Sequence, residues 1–148
     1  NNRGLAFSNK KDYNYAIANY EQALKIDPNF ALAYNNRAYA YLKKEDYDRA
    51  IADFNKAVQL YPKDANAYDS RCEAYRKKGD NDSAITDCNQ ALKLDPTITN
   101  SYYNRGLAYK NKGSKDNAVV DFKKVLELNN DVKLSQLAQE QLQKLSTK

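Results

Sequence analysis

The stretch ALAYNNRAYAYLKKEDYDRAIADFNKAVQLYPKD, residues 31–64, holds two helical patterns separated by a polar break. Tyr34, Ala38, Tyr41 and Leu42 recur at the spacing of one helix face, and Ala50, Ile51, Phe54, Ala57 and Val58 mark a second. Between them lies Lys43-Lys44-Glu45-Asp46. The lysines complement the negative end of the first helix, and Asp46 can accept bonds from the unpaired N–H groups that open the second. Pro62 then stops the second helix, because it lacks an N–H and its ring clashes with the preceding turn. The stretch therefore reads as a helix pair closed by a stop.

The same pattern recurs along the chain. Arg3, Arg37, Arg71 and Arg105 follow each other at steps of 34 residues, as do Ala16, Ala50, Ala84 and Ala118. Ala23, Ala57 and Ala91 keep the step and Val125 completes it; Pro28, Pro62 and Pro96 keep it too, with Asn130 in the fourth place. Asp12, Asp46, Asp80 and Ser114 open the second helix of each unit as N-caps. Gly79 and Gly113 stand where a left-handed helix end needs no Cβ. Ala38, Cys72 and Gly106, facing Ala50, Ala84 and Ala118, would let paired helices approach closely. No unit can bury its apolar face alone, so stability must be shared between neighbours.

A period of 34 residues with Tyr34, Ala38, Tyr41, Ala50, Phe54, Ala57 and Pro62 resembles the tetratricopeptide-repeat (TPR) family. The resemblance covers residues 1 to about 132. Departures are the Arg at the seventh position of every unit and Cys88 in place of an aromatic. It implies an all-α fold, a right-handed superhelix or α-solenoid of antiparallel helix pairs. The expected units are 1–30 (truncated at its start), 31–64, 65–98 and 99–132, followed by a capping helix and tail at 133–148. Leu134, Leu137, Ala138, Leu142 and Leu145 give that last stretch an apolar face to cover the fourth unit. The chain begins inside a unit without Met and reads as a piece of a longer or processed protein, with an uncapped first repeat.

The family resemblance also implies a concave groove lined by the first helix of each pair. On the family's pattern its lining includes Asn2 and Leu5 from the first unit, and Leu32, Asn36, Tyr39, Leu42 and Lys43 from the second. The third supplies Asp69, Ser70, Glu73, Arg76 and Lys77, and the fourth Tyr103, Asn104, Leu107 and Lys110. A carboxamide donates and accepts at once, so Asn2, Asn36 and Asn104 could hold a peptide backbone, with Ser70 interrupting the row. This row is similar to the asparagine ladder of the protein O-GlcNAc transferases. A second family mode, the carboxylate clamp for chaperone tails, would need cations where this chain has Asn66 and Ser70, so the clamp is incomplete.

Composition narrows the function classes. The 148 residues are 42% hydrophobic and 29% charged, which suits a folded soluble chain. There is no His, so the commonest general base and metal ligand is absent, and neither a catalytic set nor a metal or other cofactor is expected. Asp69 and Glu73 form the nearest thing to a catalytic pair, and Arg76 and Lys77 beside them favour ion pairing instead. Cys72 and Cys88 are read as buried reduced thiols. The four Arg at position seven are read as structural, their stems along the interface and their guanidinium groups on carboxylates or helix ends.

The expected function is a scaffold that binds an extended peptide or helix of a partner protein. The alternatives are an acidic or nucleic-acid ligand, through the basic residues and Tyr39 and Tyr103, and self-association through the first repeat. The net charge of +5 supports the former, and the intermixed acids oppose it. No apolar run approaches the ~18 residues of a membrane span. A soluble, cytoplasmic setting is the default expectation.

Overall fold

The computed structural model describes residues 1–147. The described residues form helices and no strands, in the order α1 (Asn2–Asn9), α2 (Tyr13–Ile26), α3 (Ala31–Lys43), α4 (Tyr47–Leu60), α5 (Ala65–Lys78), α6 (Asn81–Leu94), α7 (Thr99–Asn111), α8 (Lys115–Leu128) and α9 (Val132–Ser146). Asp12, Asp46 and Asp80 each accept the backbone N–H three residues on, at 3.4, 3.2 and 3.1 Å. Ser114 occupies the same place without a side-chain bond. The residue before each cap is left-handed in all four units: Lys11 and Glu45 at φ 61°, Gly79 at 96° and Gly113 at 76°. Gly adopts this conformation freely, whereas Lys11 and Glu45 hold it against a steric cost.

Helices α3, α5 and α7 each pack on their own partner and on the helix before, with α1 on α2 and α9 on α8 at the two ends, building a continuous stack. Across units the odd-numbered helices also touch each other, α3 with α5, α5 with α7 and α7 with α9. Among the described residues the even-numbered helices make no comparable contact with each other. The first helices are thus crowded together and the second helices splayed apart. That asymmetry curves an α-solenoid, with α1, α3, α5 and α7 on the inner side.

Two contacts at one offset of 16 residues recur along the stack, the first of them in the second, third and fourth pairs. Arg37 binds Asp53, Arg71 binds Asp87 and Arg105 binds Asp121 in two-pronged ion pairs, with Nε–Oδ2 distances of 2.6, 2.6 and 2.9 Å. Arg71 also donates to Asn55 and Arg105 to Asn89, each on the second helix of the preceding unit. The Arg71 and Arg105 guanidinium groups therefore staple three helices, and those of Arg37, Arg71 and Arg105 lie over the Tyr34, Tyr68 and Tyr102 rings.

One residue further along, Gly4 faces Tyr20, Ala38 stands opposite Phe54 in register, and Gly106 faces Phe122. A Cβ on Gly4 or Gly106 would come within 2.6 or 2.8 Å of the facing ring. Cys72 and Cys88 take these two places in the third pair, and they are joined as a disulfide, with Cα atoms 5.4 Å apart. The reading of two reduced thiols is corrected by this bond. The register that brings Arg71 to Asp87 brings the next residues to disulfide distance as well.

The capping helix follows the sequence expectation. Leu134 and Ala138 of α9 are buried against Ala118, Phe122 and Val125, with Leu137, Leu142 and Leu145 packed at the edge. Glu140 is exposed in the register of Gly4, Ala38, Cys72 and Gly106, all of them buried. A carboxylate there gives no seat for a closely packed further helix.

Candidate peptide-binding groove

The inner helices place the candidate residues on one side of the stack, in three environments. Toward the N-terminal end the surface is apolar and open. Leu5, Leu32 and Tyr39 are all exposed, and Lys43 Nζ lies 4.7 Å from the centre of the Tyr39 ring. Asn2 is exposed on α1. Asn36 is half-buried and donates through Nδ2 to Asn1 Oδ1 at 3.0 Å, which leaves its carbonyl oxygen available to accept. Leu42, expected in the groove, is instead fully buried among Ala38, Tyr41 and Phe54. An apolar chain at that register gains more from the core than from a wet surface.

The centre is built by α5 against α7. Asp69, Ser70, Glu73 and Arg76 are half-buried on α5, and Asp69 and Arg76 reach across to α7. Asp69 accepts the Ser101 hydroxyl at 2.6 Å, and burial pushes its carboxyl up to about 6, with Glu73 adding repulsion and Ser101 opposing both. Glu73 is paired with Lys77 at 3.2 Å. Arg76 donates Nε to Asn104 Oδ1 at 3.0 Å, and burial pulls its guanidinium below the usual value. Asn104 is itself buried, so its carbonyl is spent on Arg76 and its NH2 remains as the donor.

At the C-terminal end, Tyr103 and Leu107 are half-buried beside α9, and Lys110 donates to Gln141 Oε1 at 2.7 Å. Burial pushes the Tyr103 phenol up, while the nearby Arg76 charge pulls it down. Lys43, Arg76 and Lys110 thus sit near the C-terminal ends of successive inner helices, held by a ring, an amide and an amide. Among the described residues none of the three has a carboxylate at ion-pair distance, unlike Lys78 on Asp48 and Lys112 on Asp82.

Two partners in this constellation escaped sequence reasoning. Ser101 breaks a series of small residues, Ala33, Ala67 and Ser101, at the 34-residue step, and that exception was its signal. Gln141 lies on α9, outside the repeat, where no periodicity could point to it.

Comparison with known families agrees with the fold. The family model described as TPR repeat matches residues 4–45 and 73–113, and the one described as Tetratricopeptide repeat matches 31–64 and 99–131. The chain belongs to the tetratricopeptide-repeat family. No curated protein matches it. Among solved structures, the first TPR of Spaghetti (RPAP3) bound to the HSP90 peptide SRMEEVD is 30% identical, with a TM-score of 0.73 over 79% of this chain and 90% of that one. The second TPR domain of human RPAP3, in complex with the HSP70 peptide SGPTIEEVD, is 29% identical, with a TM-score of 0.73 over 80% and 96%. MamA from Desulfovibrio magneticus RS-1 is 27% identical, with a TM-score of 0.80 over 86% and 74%. No helix among the described residues of this TPR chain is long and apolar enough to cross a membrane.

Proposed function

We propose that this TPR chain is an interaction module that holds an extended segment of a partner protein along its inner face. The observation that carries the reading is the set of inner cations, Lys43, Arg76 and Lys110, each tethered to a neutral group and, among the described residues, none to a carboxylate. Arg76 is the strongest of them, because it is half-buried and one hydrogen bond leaves most of its five donors unused. The segment is read as acidic at those points. Its backbone is met by the Asn36 carbonyl and the Asn104 NH2, the halves left free by internal bonds. Leu5, Leu32 and Tyr39 offer apolar contact at one end. The acid-rich peptides bound to the two RPAP3 domains support a peptide as the ligand of such a fold. The cations here stand elsewhere than in a carboxylate clamp, since Asn66 and Ser70 fill two of its basic positions.

A random peptide library displayed on phage, panned on the full chain, tests this. Enriched sequences should carry Asp or Glu, and Arg76→Ala should weaken them about tenfold or more, the worth of a charged hydrogen bond. Asn36→Ala with Asn104→Ala should weaken binding with little regard to sequence. Failure to enrich any peptide, or equal binding by the variants at unchanged helicity, contradicts the reading. Nucleic acid would declare itself by a steep fall in affinity with salt. Asp69 and Glu73 on the same floor oppose a polyphosphate.

Exposed Tyr15 and Ile26 on α2 favour a second reading, self-association through the first repeat. Light scattering checks it: mass should rise with concentration, and a monomer throughout dismisses it.

A further inference from the structure

Cys72 and Cys88 are the only cysteines of the chain, which also has no Met. They fall on the two sides of a single contact. In the other three pairs that contact joins a small residue to an aromatic ring: Gly4 with Tyr20, Ala38 with Phe54, Gly106 with Phe122. In the third pair both members are exchanged together. Exchanging only the ring for Cys would leave a void opposite a small residue, and exchanging only the small residue would crowd the ring. A bonded pair fills the place from both sides. Beside it, Arg71 and Asp87 hold the same two helices by an ion pair.

We infer that Cys72–Cys88 is a covalent lock between α5 and α6, closed by thiol–disulfide exchange, and that the chain works where protein disulfides persist. One cysteine thiolate attacks the disulfide of an exchange oxidant, giving a mixed disulfide and releasing one oxidant thiol. The second thiolate displaces the other oxidant sulfur, so two protein thiols become one disulfide and the oxidant leaves as two thiols. Both cysteines are fully buried, so exchange belongs to the stage before α5 and α6 close on each other. Reducing compartments do not maintain such bonds, which moves the expected setting away from the cytoplasm. The locked helix α5 carries Asp69, Glu73 and Arg76, so the lock also stiffens the middle of the inner face.

The test has two arms, both independent of whether a peptide occupies the groove. First, the full chain is denatured from the cells that make it in excess N-ethylmaleimide and weighed intact. The inference expects no adduct, and two adducts overturn it. Second, unfolding is followed with and without a phosphine reductant. A disulfide closing so short a loop should, when reduced, take roughly a hundredfold off the folding equilibrium constant. The Cys72→Ala/Cys88→Phe variant restores the pairing of Ala38 and Phe54 and should ignore the reductant. A native chain equally stable with and without reductant, or a variant that responds as the native chain does, overturns the lock.

Discussion

Replacing Asp69 by Asn removes an ionisable group from the floor of the groove while keeping its size and its ability to accept the Ser101 hydroxyl. Burial, with Glu73 one turn on adding to it and the Ser101 bond opposing both, raises this carboxyl from 3.8 to about 6. The folded state therefore binds this proton more tightly than the unfolded chain, so stability is lost as pH rises from about 4 through 6. A rise from 3.8 to about 6 is worth about 3 kcal/mol for a fully enclosed group, and partial access of water to the site brings the expected effect to ~2 kcal/mol. Urea unfolding of the native chain and Asp69→Asn, from pH 4 to pH 8 at fixed ionic strength, is the assay. The variant should be the more stable above pH 7 by about 2 kcal/mol, with the difference shrinking toward zero near pH 4. A variant less stable than the native chain at pH 7, or a difference that does not move with pH, refutes this account of the carboxyl.

Other consequences are equally concrete. Asp87→Ala leaves Arg71 among Tyr68, Tyr75 and Asn55 without its counterion, and should cost about 3 kcal/mol in urea unfolding, whereas Lys124→Ala, on an exposed pair, should leave the unfolding midpoint where it was. Glu45→Gly relieves a left-handed residue and should raise stability by about 0.5–1 kcal/mol; thermal unfolding would read it, and no gain would mean that φ 61° carries little strain. Gly106→Ala sets a methyl 2.8 Å from the Phe122 ring and should destabilise by about 1–2 kcal/mol, despite the better helix propensity of Ala.

The fold was legible because period, caps and stops all agree. The N-cap series at Asp12, Asp46 and Asp80 and the left-handed glycines lie where the spacing puts them. The apolar face of residues 132–145 likewise announced the cap. What escaped depends on contacts between helices. Asp53, Asp87 and Asp121 keep the same 34-residue step as the arginines they bind, yet nothing in one helix shows which turn of its partner it meets. Cys72 and Cys88 were misread for that reason: the 16-residue register that decides their fate is a packing fact. In the groove, Leu42 turned into the core, and internal bonds took half of the Asn36 and Asn104 amides. A side chain's neighbours, rather than its place in the repeat, decide what it can still offer to a ligand.

The most direct test of the groove reading is a map of amide shifts in the 15N-labelled chain as an enriched acidic peptide is added. Shifts should cluster on the inner side, at the Asn36 and Asn104 side-chain amides, along residues 69–77 of α5 and 103–110 of α7, and Arg76→Ala should need about tenfold more peptide to reach them. Shifts confined to α4, α6 and α8, or spread along the first repeat alone, would contradict it and place the partner on the outer face or the open end.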